Sequence, residues 1–427
     1  MNTYKQRIAD KLLDEKLEGM GAVLIEGAKW CGKTSTAEHH AKSILYVNNP
    51  QEKALNKQLA QINPQQLLEG ATPRLLDEWQ IIPELWDAIR FTVDHRENEG
   101  QFILTGSVTP LQDEAAKKIH HSGTGRIARL KMRPMSLWES GDSNGGVSLG
   151  DLFKNEKQIA ASNDKDLHDI AYLICRGGWP RATLQGKKTA LGRAFDYYDT
   201  VVNADINLPD GIERNPNRVK LFLRSYARNQ GTQISLKGIC NDMKSNDLET
   251  LDDRTVYSYL SALKGIFVVE DCPAWNPNLR SRTTIRTSDT RYFVDPSIAV
   301  AALGIGPNDL INDLNTLGLL FETMCIRDLR VYAQAINGEV YHYRDKDGLE
   351  CDAVIHLRNG DYGLVEIKLG GEYLIEEGAK SLLKLSSKID TTRMKPPSFL
   401  MVLTATGSYA FQRKDGICIV PISCLKD

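Results

Sequence analysis

The sequence predicts an α/β protein that begins with a parallel, helix-covered sheet. Three observations carry this: apolar runs alternate with helix-forming stretches between about residues 20 and 140, a glycine-rich turn joins the first run to a helix, and two carboxylates close a later run. The runs are Ala22 to Ile25, Ile44 to Val47, Leu75 to Leu76, Phe102 to Leu104 and Ile127 to Met132. In such a sheet a ligand is expected at the carboxyl ends of the strands.

The turn after the first run reads Gly27-Ala28-Lys29-Trp30-Cys31-Gly32-Lys33-Thr34, and the helix-forming stretch Ser35 to Lys42 follows. That GxxxxGKT spacing suits a phosphate-binding loop, because the glycines let backbone N–H groups turn toward a β-phosphate and the following helix adds its positive dipole end. Lys33 is expected to reach the β/γ oxygens and the Thr34 hydroxyl to ligate magnesium. Gly27, Lys29, Trp30, Cys31, Gly32, Lys33, Thr34 and Ser35 are the expected nucleotide contacts. Taken alone, the turn also reads as an ordinary strand-to-helix connection. Two later motifs tip the balance. Arg74-Leu75-Leu76-Asp77-Glu78-Trp79 ends an apolar stretch in two acids, expected at the tip of the strand neighbouring the first. Asp77 would hold magnesium through its water shell and Glu78 would polarise the attacking water. Gln101 to Ser107 ends in hydroxyls, with Ser107 placed for the γ-phosphate or that water. Trp79 reads as a packing residue.

Composition sets bounds. A chain of 427 residues with 41% hydrophobic and 25% charged content has room for two or three full domains. A net charge of −2 provides no global attraction to nucleic acid or anionic membrane, so such a partner must be met by a local patch. The eight cysteines form no CxxC pair, which fits free thiols in a reducing compartment. Met1 to Met20 is charged and helical, and no apolar run is long enough to span a membrane. A cytoplasmic location without a membrane partner is expected.

Composition shifts divide the chain into a P-loop nucleotide-hydrolase core over about 1–150, a helical extension over 151–212, a winged-helix-like region over 213–308 and a further α/β domain over 309–427. Ser140 to Leu149 reads as a loop, and Arg176-Gly177-Gly178-Trp179-Pro180-Arg181 punctuates the extension. In the third region Asn217 to Arg228, a helix capped by Ser235 and another capped by Asp252 or Asp253 precede two expected strands, Ile266 to Glu270 and Thr290 to Val294. The loop between those strands holds Arg280, Arg282 and Arg286. As a winged helix, this region would present Arg254, Tyr257 and Ser258 to a DNA groove; the same outline also serves protein-binding or lid modules.

The last domain is expected to hold a helix at Leu314 to Leu329 and strands at Glu339 to Tyr343, Cys351 to Leu357, Gly363 to Leu369, Ser398 to Leu403 and Ile417 to Val420. Glu366 and Lys368 share one strand face, Asp352 can reach it from the partner strand, and Glu322 on the preceding helix is a further acid. This is the layout of the PD-(D/E)xK restriction-endonuclease core, in which acids hold a metal and the lysine orients water. The bland alternative is a solvated strand face over a Val365, Ile367 and Leu369 core.

With these residues placed, nearly the whole chain resembles the prokaryotic AAA-family ATPases with a C-terminal domain of unknown function. The resemblance rests on Gly27 to Thr34, Asp77-Glu78-Trp79, Leu104-Thr105-Gly106-Ser107, Gly125-Arg126, Pro134-Met135-Ser136-Leu137-Trp138-Glu139, Gly177-Gly178-Trp179-Pro180 and Leu319-Leu320-Phe321-Glu322. It implies ATP rather than GTP, with Mg2+. It also implies a catalytic set of Lys33, Glu78, Ser107 and Arg126, with Thr34 and Asp77 at the metal. Arg126 would complete its own or a neighbour's site, or simply solvate the strand start; Arg176 is a second candidate for the γ-phosphate. Arg181 departs from the acidic residue that the resemblance implies there. The expected activity is ATP hydrolysis whose nucleotide state repositions the C-terminal modules on DNA or a protein, with an oligomer compatible. The alternatives are an ATP-gated, metal-dependent DNA nuclease built on Glu322, Asp352, Glu366 and Lys368, and a non-catalytic protein-recognition switch.

Overall fold

The computed structural model describes residues 4–96, 98–109, 123–154, 159–244, 252–277 and 288–427. The chain forms two compact units, one of Met1–Pro134, Val201–Asn215 and Ser258–Val268, the other of Met135–Thr200, Pro216–Tyr257 and Val269–Asp427.

In the first unit β1 (Ala22–Glu26), β2 (Ser43–Tyr46), β3 (Arg74–Asp77), β4 (Phe102–Gly106) and β5 (Ile127–Lys131) make one sheet in the order β2-β3-β4-β1-β5. Every neighbouring pair is parallel. Each strand coincides with an apolar run of the sequence. The order corrects one expectation: β4 lies between β1 and β3, so the strand ending in Asp77 is next but one to the glycine-rich turn. Burial accounts for the placement, since β4 is buried at every position while β2, with Ile44 and Tyr46 exposed, takes the edge.

Alternation along the strands splits the core in two. Leu24, Leu76, Phe102 and Leu104 pack with Trp79, Leu85, Trp86 and Ile89 on one face. Val23, Ile25, Leu75, Ile103 and Leu130 pack on the other with Leu12, Leu13 and Leu17 of α1 (Ile8–Gly19) and Ala37 of α2 (Lys33–His40). A polar network ties these two helices together. The Tyr4 hydroxyl donates to Asp10 at 2.5 Å and lies 2.9 Å from the Thr36 hydroxyl, and the His40 ring stands 3.2 Å from Asp10 and 2.8 Å from Asp14.

In the second unit β8 (Gly338–Arg344), β9 (Glu350–Leu357) and β10 (Tyr362–Lys368) form an antiparallel meander, and β11 (Phe399–Thr404) joins β10 in parallel. The full sheet runs β7-β12-β13-β11-β10-β9-β8, with β7 at Ala161–Ser162, β12 at Tyr409–Gln412 and β13 at Cys418–Pro421, while β6 (Val147–Ser148) pairs apart from it with β14 (Leu425–Lys426). The helix Leu314–Ala335 precedes the meander, and the helix Glu372–Lys388 crosses between β10 and β11, burying Ala379, Leu382 and Leu385 against Val354, Leu364 and Val402. All five strands expected here form.

Helices also form at Pro216–Arg228, Leu236–Lys244 and Asp253–Gly265, as the apolar spacing predicts. The winged-helix strands do not follow. Among the described residues Ile266 to Glu270 meets Thr290 to Val294 through the isolated antiparallel bridge Val269–Phe293, and Cys272, two residues beyond, bridges Thr290. Phe267 has a left-handed φ of 59°, which breaks an extended run at its start. Arg280, Arg282 and Arg286 lie outside the described residues. Arg254 and Tyr257 are exposed.

The segments beginning at Met135 and Gly177 meet at a buried ionic hub in the second unit. Arg327, 1% exposed, holds Asp295 at 2.9 Å and Asp328 at 2.7 Å. The Gly178 and Leu137 amides each donate to one of these acids at 2.9 Å, and the Trp179 indole donates to Ser297 at 2.9 Å. Every charge thus has a counter-charge and a hydrogen bond, the condition under which burial is tolerated. Gly178 is required sterically, because a Cβ there would sit 2.1 Å from the Met135 carbonyl oxygen. No helix among the described residues is long and apolar enough to cross a membrane. All eight cysteines are buried and free of disulfides.

The network between α1 and α2 gives a pH dependence. The hydrogen bond to Asp10 outweighs burial and holds the His40 pKa above its ordinary value. Stabilisation from His40 is therefore complete below the unfolded value of about 6.5 and is lost as pH rises through the higher folded value. The melting temperature of the first unit should fall as pH is raised from about 6 to about 8. In His40→Gln that decline should flatten; an unchanged slope would show that His40 is not its source.

Candidate active site

The glycine-rich turn leaves the carboxyl end of β1, beside the strand end of β5, where the Met132 amide donates to Glu26 O at 2.8 Å. Gly27 has a φ of 156°, and a Cβ there would lie 2.0 Å from the Met132 carbonyl oxygen, so only glycine lets the chain turn at this point. Trp30 and Gly32 are also left-handed, with φ of 66° and 107°, and α2 starts at Lys33. The first turn of α2 presents its N–H groups and dipole toward the loop. Lys33 is buried and donates to the carbonyls of Gly27 and Ala28, each at 2.9 Å. Its ammonium is thereby held inside the curve of the loop. Cys31 is buried with its Sγ toward Met132 O at 3.5 Å, whereas Trp30 is 45% exposed and Ser35 is exposed. Lys29 pairs with the buried Asp205 at 2.6 Å.

The ends of β3 and β4 complete the arrangement. Thr34 Oγ1 donates to Asp77 Oδ1 at 2.8 Å, and Thr105 Oγ1 donates to the same oxygen at 2.7 Å. The Glu78 amide donates to Thr105 Oγ1 at 3.0 Å. Glu78 has left-handed backbone angles of 59° and 48°, and its two carboxylate oxygens accept from Ser107 Oγ at 2.8 Å and Gln80 Nε2 at 2.5 Å. Lys33, Thr34, Asp77, Glu78 and Ser107 thus occupy the carboxyl ends of three adjacent strands. The Thr34 hydroxyl and Asp77 carboxylate are hard oxygen donors already in contact, which fits magnesium. Among the described residues no three His, Cys, Asp or Glu groups converge on one metal position. Magnesium is commonly held by one or two protein oxygens together with water and phosphate.

These features are a glycine-rich loop with a buried lysine, a hydroxyl–carboxylate pair and a second acid, gathered at the carboxyl ends of neighbouring strands. A family model described as AAA domain matches residues 20–140. Those residues form a P-loop ATPase domain of the AAA type. Two further models match beyond it, domain of unknown function DUF8612 over residues 167–309 and domain of unknown function DUF4143 over 317–425. Among solved structures, the Walker-type ATPase PABY2304 of Pyrococcus abyssi is 14% identical, over 69% of this chain and 94% of that one, with a TM-score of 0.43. A DNA replication initiation factor is also 14% identical, over 62% of this chain and 89% of that one, with a TM-score of 0.23. Comparison with curated proteins gave no match.

Arg126 is not brought to the loop of its own AAA domain. It precedes Ile127, which pairs with Ala22 at the amino end of β1, and its carbonyl accepts the Ala22 amide at 3.1 Å. The loop leaves the other end of β1, roughly 15 Å away at about 3.3 Å per residue. Asp94 holds the Arg126 guanidinium at 2.7 Å, and this bond lowers the Asp94 pKa. Arg176, in the second unit, is buried against Asp142 at 2.8 Å. Trp79 packs on Trp86 in the core, with ring centroids 4.8 Å apart. Gln80 and Asp205 escaped the sequence reading. Gln80 lies two positions past Glu78 and reaches it only through the turn that follows β3; Asp205 lies 176 residues from its partner and leaves no local signal.

In the second unit Lys368 joins two of the acids expected at a nuclease site, Glu366 and Asp352, whereas Glu322 is held by Tyr292, and among the described residues no three acids converge on one metal position. Lys368 Nζ lies 2.8 Å from Glu366 and 3.6 Å from Asp352, and Asp352 accepts the Ile367 amide at 2.7 Å. Glu366 also accepts from Ser381 at 3.1 Å, and Glu322 accepts from the Tyr292 hydroxyl. Burial first, then repulsion from Asp352, raises the pKa of both Glu322 and Glu366.

Gly27→Ala should abolish nucleotide binding while leaving the melting temperature of the second unit unchanged. Equilibrium dialysis with MgATP alongside calorimetry checks this, and retained binding would show that the Met132 contact is not limiting.

Proposed function

We propose that the chain binds ATP with magnesium through Gly27 to Ser35, hydrolyses it with Glu78 as the base, and uses the nucleotide state to reposition its C-terminal modules on a partner. The convergence of Lys33, the Thr34–Asp77 pair and the Glu78–Ser107 pair on three neighbouring strand ends carries this reading. Lys33 exchanges its two loop carbonyls for β/γ oxygens. Thr34 and Asp77 would hold magnesium, which when bound polarises the phosphate oxygens. Glu78 takes a proton from the attacking water and Ser107 holds that water or the γ-phosphate. Because Arg126 stands at the opposite sheet edge of its own domain, its part in hydrolysis is toward a neighbouring subunit. Eight buried free thiols favour a reducing, cytoplasmic setting.

A second reading has its own observation. Lys368 meets Glu366 and Asp352 on the paired strands β10 and β9, with Glu322 on the helix before them, and that contact is the observation behind a reading as ATP-gated, metal-dependent DNA cleavage. A protein-recognition surface in the same place would need no metal.

Lys33→Ala should lose ATP binding. Glu78→Gln should retain binding and turn over roughly 10²- to 10⁴-fold more slowly; undiminished turnover would remove Glu78 as the base. Duplex, single-stranded and branched DNA incubated with the protein, ATP and magnesium or manganese should separate the two readings. Cleavage abolished by Glu366→Gln supports the nuclease. Intact DNA with ATP turnover unaffected by DNA points to a protein partner.

A further inference from the structure

We infer that Gln80 is a positioning residue for hydrolysis: its side-chain amide fixes the Glu78 carboxylate where it meets the attacking water. This rests on Glu78 acting as the base. Glu78 leaves β3 in a left-handed conformation, and the chain then closes a tight turn in which the Ile81 amide donates to Glu78 O at 3.1 Å. Trp79 anchors that turn, because its indole is 5% exposed and packed on Trp86. The turn brings the Gln80 side chain back beside Glu78, where Nε2 donates to Oε2 at 2.5 Å while Ser107 donates to Oε1 at 2.8 Å.

Each carboxylate oxygen therefore accepts one neutral donor. An ionised carboxylate has about four lone-pair sites, so one on each oxygen stays open to water. Neutral donors orient the group without cancelling its charge, as a lysine or arginine would. The other end of the amide is not satisfied: Gln80 Oε1 is buried and accepts no hydrogen bond from a described residue. A buried unpaired acceptor lowers stability, so an apolar side chain of the same shape would suit this pocket better. What the amide adds is its donor end. A Cβ on Gly106 would press on Trp79 Nε1 at 3.2 Å but reach Gln80 Oε1 only at an ordinary contact distance of 3.4 Å.

The test is steady-state MgATP hydrolysis by the full chain, with ATP affinity and melting temperature measured on the same preparations. Gln80→Met, close in shape and without the donor, should lower kcat by about tenfold or more. KM for ATP should stay within about twofold and the melting temperature should hold or rise. Gln80→Glu, isosteric but lacking the donor, should lose as much and serves if the first variant folds poorly. Combined with Glu78→Gln, either change should add nothing further, because the two side chains act as one unit. Full kcat in both single variants, or a loss that adds to that of Glu78→Gln, would overturn the positioning role. Failure of Glu78→Gln itself to slow turnover would instead remove the underlying assignment of the base.

Discussion

Thr105 lies at the end of β4, fully buried, and its one hydroxyl serves both acids of the AAA domain. It donates to Asp77 Oδ1 at 2.7 Å and accepts the Glu78 amide at 3.0 Å. The hydrogen and one lone pair are both used, so the direction of each bond is set. Asp77 Oδ1 also accepts from Thr34, so the start of α2, β3 and β4 meet at one oxygen. This junction depends on the strand order. Only with β4 between β1 and β3 can a single side chain of β4 reach the acids while Ser107, two residues on, reaches the Glu78 carboxylate.

The strand order is also what the sequence does not disclose. Parallel strands buried on both faces read as short apolar runs, so Ala22 to Ile25, Leu75 to Leu76 and Phe102 to Leu104 stand out without a structure. Their lateral arrangement is a property of crossovers, and Asp77 was accordingly expected one strand too close to the loop. Arg126 shows the same limit from the other side. A Gly-Arg pair before an apolar run identifies a strand start, but parallel pairing sends every strand start to the edge opposite the phosphate loop. Gln80 and Asp205 were missed for different reasons: one depends on a backbone turn that reverses a side chain, the other on a contact far along the chain. Around residue 267 the helices are legible from their apolar faces, whereas the strand expected from Ile266 is interrupted at its start by a left-handed phenylalanine that no propensity indicates.

Motifs carried by the family resemblance divide by what they do. Gly27 to Thr34, Asp77-Glu78 and Ser107 meet at the phosphate loop. Gly177 to Trp179 and the segment from Met135 to Glu139 meet elsewhere, on the Asp295–Arg327–Asp328 hub. There the glycine is fixed by the nearby Met135 carbonyl, and the backbone amides of Gly178 and Leu137 complete the solvation of two buried acids. A guanidinium with two carboxylates at 1% exposure or less tolerates little change of neighbour, because removing any one member strands a charge in the core. Such a hub constrains sequence as tightly as catalysis does, so a recurrent motif by itself does not separate the two.

The two acid clusters handle charge in opposite ways, and that difference bears on what each can do. Around Glu78 the donors are a hydroxyl and an amide, both neutral, so neither offsets the negative charge of a carboxylate. Around Glu366 the donor is an ammonium at 2.8 Å, shared with Asp352 at 3.6 Å, with the half-buried Glu322 held by Tyr292. Lysine already offsets part of the negative charge there, and burial together with repulsion from Asp352 favours the protonated form of the two glutamates. A divalent cation entering this cluster would have to displace Lys368 from Glu366 and strip those protons. Its binding should therefore strengthen as pH rises, and the freed ammonium would become available to a phosphate or to water. Lys368 is thus the residue on which a catalytic and a purely structural cluster differ. In the first it moves when metal arrives, and in the second it remains the permanent counter-charge that makes the buried acids tolerable.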